Sequence, residues 1–302
     1  MLFEKLTRRQ VGLGAIAAGV GTLALDAYGQ TSGGPPAHAG EPLSKITVEK
    51  REHVLLLGLN RPEQGNRVDP EMFQLLSKAY FAYEEDRELR SLVLFGHGSN
   101  FCQGIDVEAF ADVIRSHADE AMPPGAIDPW SKIGPRRTKP VVVAAHGDTF
   151  NIGHELFLAA DIRVAASNTR FANTENMSAR MPASGATIRF VREAGWGQAM
   201  RYLLTGDAFS ADEAYRLGTV QEIGSSAADA FTRALDLANK IAACAPLSIK
   251  ATLASAHMAI DEGEPKAISQ LIPQRRVLYG TNDFKEGLLA GKERRRPIYR
   301  GD

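Results

Sequence analysis

Hydrophobic and polar residues alternate from position 46 and then give way to a continuous apolar run at Val54-Leu55-Leu56-Leu57, the pattern of a hairpin entering a sheet. Asp69 then offers a cap and Pro70 a first-turn residue for a helix whose apolar face is Met72, Phe73, Leu75, Leu76, Ala79 and Tyr80. Ser91-Leu92-Val93-Leu94-Phe95-Gly96 and residues 141–145 read as short buried strands, each followed by a glycine turn and a helical pattern. Strand, turn and helix recurring in this order predict an α/β fold of stacked ββα units. Residues 111–132 break the rhythm. There a charged, helix-like stretch gives way to Met122-Pro123-Pro124-Gly125 and Asp128-Pro129-Trp130, and so many prolines predict a mobile cover over a site. From Gly195 the pattern turns helical, over 199–204, 211–216, 227–243 and 246–258, with no repeat of solenoid period.

Composition narrows the function classes. The chain has 302 residues, 44% hydrophobic, with a formal charge of −1, enough for one large core with a smaller appendage. That balance supplies no basic field to displace counterions from phosphates, which argues against a nucleic-acid partner. The basic cluster at Lys292, Arg294, Arg295 and Arg296 is the local exception, read first as a solvated helix end and second as a meeting point for an anionic cofactor tail. Two cysteines, Cys102 and Cys244, make no disulfide framework and no ligand spacing, so no metal site is expected.

The amino terminus reads differently from the rest. Arg8-Arg9 precedes a Gly/Ala-rich apolar run to Leu25, and Ala27-Tyr28-Gly29 supplies small residues for cleavage. This resembles a twin-arginine export signal and predicts a leader over 1–29, a linker over 30–44 and a periplasmic protein, or a cytoplasmic one where the signal is not functional. The apolar run falls short of the roughly 20 residues a membrane span needs, so no stable span is expected after processing.

The middle third carries the chemistry. Asn151-Ile152-Gly153-His154-Glu155 and Asn173-Thr174-Glu175-Asn176 each set one glutamate among Gly or Asn residues, and two carboxylates can add and remove a proton on opposite sides of one bond. Together with Leu59-Asn60-Arg61-Pro62 and Asn66, the turn Phe101-Cys102-Gln103-Gly104-Ile105-Asp106, the run Lys139 to Gly147, Leu204-Thr205-Gly206-Asp207-Ala208-Phe209-Ser210-Ala211 and Asp283-Phe284-Lys285-Glu286-Gly287, they hold one register over residues 45–300. In that register the chain resembles the crotonase (enoyl-CoA hydratase/isomerase) superfamily. The resemblance implies a crotonase core over 45–194 and a helical trimerisation subdomain over 195–302. It also implies a homotrimer or a dimer of trimers, and an acyl thioester substrate with coenzyme A as part of that substrate and no bound cofactor.

By the same resemblance Glu155 and Glu175 are the catalytic pair, holding one water between them, and the backbone N–H groups of Gln103 and Ile152 form an oxyanion hole. Two such donors aimed at a thioester oxygen contribute roughly 3–4 kcal/mol each in comparable sites. Gln64, Gly65, Gly104, Ile105 and Asp106 are implied in substrate and CoA binding. The sequence departs from the family where Asn151-Ile152 replaces two glycines, and a β-branched Ile cannot enter glycine-only backbone regions. It departs again at Glu63, where the family often has a lysine. Helix-terminal placement would lower the Glu155 pKa and burial would raise it. His154 is read as a pocket wall, or as a group that tunes Glu155 or replaces it as a base; His146 as satisfying turn backbone; His97 as facing solvent; Asp106 as a substrate contact or a helix cap; and Trp130, Phe110 and Met122 as acyl-pocket wall or core. The reading is an enoyl-CoA hydratase-like lyase. Its alternatives are an isomerase needing only Glu175, a thioester or diketone hydrolase, and a non-catalytic thioester-binding protein.

Overall fold

The computed structural model describes residues 44–116 and 122–302. The expected leader, and all of the expected linker except its last residue, lie outside the described residues. The chain opens with the hairpin β1 (Ile46–Arg51) and β2 (Val54–Leu59), paired antiparallel. Helix α1 (Pro70–Glu85) starts as its sequence predicts, with the Asp69 carboxylate accepting the Met72 N–H at 2.8 Å and Pro70 where no N–H is needed. Then come β3 (Ser91–Gly96), α2 (Val107–Arg115), β4 (Val141–Ala145), β5 (Asp148–Phe150), α3 (Ile152–Ala159), β6 (Ile162–Ala166) and β7 (Arg170–Ala172). The remainder holds α4 (Ala186–Ala194), α5 (Trp196–Thr205), β8 (Phe209–Ser210), α6 (Ala211–Arg216), β9 (Glu222–Gly224), α7 (Ala227–Ala242), α8 (Pro246–Glu262), α9 (Glu264–Tyr279) and α10 (Asn282–Glu293).

Two sheets organise these elements. The larger has the order β1-β2-β3-β4-β6-β9, parallel from β2 onward; the smaller has the order β5-β7-β8. The path β4, β5, α3, β6, β7 steps from the large sheet to the small one, returns through a helix and repeats, which is the ββα unit expected from the sequence. The uninterrupted apolar runs follow from burial of both faces. Leu55, Leu57, Leu59, Val141, Val143 and Ala145 face one core with α1 and α3, while Val54, Leu56, Val142 and Ala144 face the other with Ala230, Ala234 and Ala238 of α7.

Two expectations need correction. The stretch expected to be a mobile cover is tied into the core from Ala126 on. Ile127 and Trp130 are buried in the main core, and the buried Asp128 carboxylate accepts the N–H groups of Trp130, Lys132 and Ile133. His97 does not face solvent: it is 8% exposed, and its Nε2 lies 2.8 Å from the Thr47 hydroxyl under Gly58 of the hairpin. Within 195–302, β8 and β9 are edge strands of the two sheets and α7 covers the large one, and the helices α8, α9 and α10 follow. Among the described residues no helix is long and apolar enough to cross a membrane, and no group of His, Cys, Asp and Glu is arranged to hold a metal ion.

Candidate active site

Two neighbouring segments run parallel through the Cys102–Thr149 bridge, with Cys102 N–H donating to the Asp148 carbonyl (3.2 Å) and Phe150 N–H to the Cys102 carbonyl (2.9 Å). This sets the turn 101–106 beside the entry to α3. Gly153 is required there, since a Cβ on it would stand 2.3 Å from the Cys102 carbonyl oxygen. The concern raised by Ile152 falls one residue earlier. Asn151 takes φ 56° and ψ −125°, a region unfavourable to any residue with a Cβ, and Ile152 begins α3 in ordinary helical geometry. As the first residue of that helix, Ile152 has an N–H with no intrahelical acceptor. Its carbonyl is braced at 2.9 Å by the indole N–H of Trp130, a core residue stacked on Phe73.

Gln103 does not match its expected role. Its N–H donates to the Gly65 carbonyl at 2.9 Å, so that donor is already engaged, while its side chain reaches the Asp148 carboxylate at 3.1 Å. The turn instead pairs with Val68 on both sides of Ile105, Val68 N–H donating to the Gly104 carbonyl (2.9 Å) and Asp106 N–H to the Val68 carbonyl (2.8 Å). In a parallel bridge the residue between those two bonds points its own N–H the opposite way. The Ile105 N–H has no acceptor within the chain among the described residues. Asp106 caps α2, its carboxylate accepting the Ala109 N–H and meeting Arg61 at 3.4 Å. Gln64 and Glu63 are exposed, and Gly65, with φ 60°, closes a 3-10 turn beside Gln103.

The carboxylates come from different elements. Glu155, in the first turns of α3, is 2% exposed and its Oε1 accepts N–H groups from Ser184 (2.7 Å) and Ala186 (3.1 Å). Burial, supported by the charge of Glu175 and opposed by those N–H donors, pushes its pKa up to about 7. Burial thus outweighs helix-terminal placement. Glu175 opens the 3-10 turn Glu175–Ser178 after β7, is 6% exposed, and is likewise raised by burial. The charge of Glu175 contributes to the raised pKa of Glu155, so the two groups stand near enough to interact. A buried carboxyl that still holds a proton near neutrality can deliver it, and one that has lost it is a stronger base than an exposed carboxylate.

His154 is not a pocket wall. It is fully buried among Phe171, Phe190 and Phe209, and burial lowers its pKa to about 4, which leaves it neutral. His146 behaves as expected, its Nε2 lying 2.9 Å from the Gly98 carbonyl. Phe110 and Trp130 belong to the main core, and Met122 lies half-buried beside Gly134. The sequence reading missed the Ser184 and Ala186 N–H groups that hold Glu155, although the Pro182-Ala183-Ser184-Gly185 turn ahead of α4 was a visible signal. It also missed Asn151 and Asn173, which flank the glutamates in both motifs.

Comparison with known proteins gives a consistent result. The enoyl-CoA hydratase/isomerase family matches residues 49–302. The chain is 35% identical over 262 residues to the (E)-benzylidenesuccinyl-CoA hydratase of Thauera aromatica, covering 85% of this chain and 99% of that protein. It is 33% identical over 256 residues to an enoyl-CoA hydratase of Mycobacterium tuberculosis, covering 83% and 95%. A crystal structure of a probable enoyl-CoA hydratase/isomerase from Mycobacterium abscessus superposes with a TM-score of 0.82 at 40% identity, covering 85% of this chain and 99% of that one. These findings overturn the expected periplasmic location. The relatives are hydratases of CoA thioesters, and those whose names state a compartment are mitochondrial.

Proposed function

The chain belongs to the enoyl-CoA hydratase/isomerase family, and from that premise we propose that it adds water across the double bond of a 2-enoyl-CoA. Enzymes of this family need no cofactor beyond the CoA substrate. The observation that carries the proposal is the pair of buried carboxylates Glu155 and Glu175, each raised by burial and close enough for one to affect the other. The N–H groups of Ile152 and Ile105, both without an acceptor among the described residues, would receive the thioester oxygen as negative charge develops on it. Ile105 takes the place first given to Gln103.

In the hydration direction Glu155, its Oε1 held by two N–H donors, takes a proton from water through its other oxygen, and the water oxygen bonds to the β-carbon. The π electrons move toward the thioester carbonyl, and Glu175 delivers a proton to the α-carbon. One proton enters the pair and one leaves it, so the pair ends with the protons exchanged. An isomerase would use Glu175 alone; the amount of structure spent on holding Glu155 favours hydration. The exposed Glu63 leaves no cation at the position where the family often has lysine, so binding of the thioester leans on backbone groups. The discriminating experiment is proton NMR of a 2-enoyl-CoA turned over in heavy water. A 3-hydroxyacyl-CoA carrying one deuterium at the α-carbon supports hydration, and a shifted double bond without added water would replace it with isomerisation.

A further inference from the structure

His154 sits one residue before Glu155, fully buried, with the rings of Phe171, Phe190 and Phe209 at 5.3, 5.4 and 5.6 Å. An imidazole gives up hydration to enter such a place, and its Nε2 finds no hydrogen-bond partner in the chain among the described residues. A phenylalanine would fill similar space without leaving a polar atom unmatched. What the histidine does gain is one short bond, from Nδ1 to Oδ1 of Asn173 at 2.7 Å. Asn173 is itself 2% exposed, and its Nδ2 lies 3.4 Å from each carboxylate oxygen of Glu175.

Only one arrangement of hydrogens suits this chain of groups once Glu175 has given its proton to the α-carbon, and the same one serves beforehand, since the carbonyl oxygen of a protonated carboxyl still accepts. A carboxylate only accepts, so Asn173 must turn its NH2 toward it. The amide oxygen then faces His154, and Nδ1 must carry the imidazole hydrogen. With the amide reversed, its oxygen would face the carboxylate with repulsion in place of attraction. The segment is tied from its other side as well. Asn151 Oδ1 accepts both the Thr174 N–H (2.7 Å) and the Thr174 hydroxyl (3.0 Å), at the cost of the unfavourable backbone at Asn151. Residues 151–155, which carry Ile152 and Glu155, therefore also anchor the two residues that precede Glu175.

We infer that His154 and Asn173 are positioning residues for the reaction: the buried imidazole fixes the orientation of the Asn173 amide, and that amide aims the Glu175 carboxylate at the substrate's α-carbon. The inference rests on Glu175 being the α-carbon acid. Its test compares His154→Phe, His154→Gln, Asn173→Leu and Glu175→Gln in the purified full chain, with kcat, KM and Tm measured on a 2-enoyl-CoA. His154→Phe is expected to keep or raise Tm, leave KM within about twofold and lower kcat by roughly tenfold. Asn173→Leu is expected to do the same, and His154→Gln, which keeps a donor, to recover part of the rate. Placed on the Glu175→Gln background, His154→Phe is expected to cost no further rate, because a positioning role vanishes with the group it positions. A purely structural histidine would lower Tm and kcat together and cost the same on either background. If His154→Phe does not fold, Asn173→Leu decides alone. Full kcat in the folded variants, with Glu175→Gln inactive, overturns this inference and leaves the hydratase reading intact; full kcat in Glu175→Gln overturns both.

Discussion

In the proposed hydration, Glu155 couples activity to stability. Its folded pKa of about 7 lies above the ordinary 4.5, so the folded state binds the proton more tightly than the unfolded chain does. Below about pH 4.5 the group is protonated in both states and adds no penalty; as pH rises through about 7 the fold must carry a buried charge. At about 1.4 kcal/mol per pH unit, Glu155→Gln is expected to be more stable than the parent by up to roughly 3 kcal/mol at pH 8 and by little at pH 4, which urea denaturation at the two pH values checks. The same group is expected to make kcat/KM for hydration rise with pH through about 7, with that inflection missing from the residual activity of Glu155→Gln. Both glutamates were legible in the sequence because Gly and Asn flanked them in one register with other motifs. The donor at Ile105 was not, since the direction of a backbone N–H depends on the bridge to Val68, which residue identity does not reveal.

At the scale of elements, close approach of backbones shapes the site more than helix or strand preference does. In an isolated helix, replacing Gly153 by Ala would be favourable by about 1 kcal/mol. Here the added Cβ would stand 2.3 Å from the Cys102 carbonyl, in backbone that cannot swing aside, and the turn 101–106 would have to move away from α3. Gly153→Ala is therefore expected to destabilise the fold by roughly 1–3 kcal/mol and to lower kcat, measured by denaturation and steady-state kinetics. An unchanged or raised stability would mean that the two segments are not held at this distance. Strands and α1 were readable because burial on two faces and a capping Asp leave periodic marks. The packing of 126–130 was not, because the prolines that suggested a cover equally suit a rigid strap, and the carboxylate of Asp128 that ties it down is a single residue without periodicity.

At the scale of the whole molecule, the helices after the sheets leave apolar residues uncovered. Ile260, Ile268, Leu271, Ile272, Val277, Leu288 and Leu289 on α8, α9 and α10 are all about half exposed or more, and α8 buries no residue fully. Such a surface is expected to meet copies of the same chain. The proposed trimer, or pair of stacked trimers, is checked by light scattering at micromolar concentration, and a strict monomer would contradict it. In the closing segment, Arg295 is paired with Glu286 and Glu293. The fold and the family could be read from sequence, whereas the place in the cell could not: a short apolar stretch with two arginines constrains an address far less than a continuous register of motifs constrains a core.

The proposed hydration needs two buried carboxylates acting together on a conjugated thioester. The initial rate of 2-enoyl-CoA hydration in the parent, Glu155→Gln and Glu175→Gln, with each variant confirmed as folded, reads this dependence. Each substitution is expected to lower kcat by at least roughly 100-fold, and full activity in either variant would contradict the account.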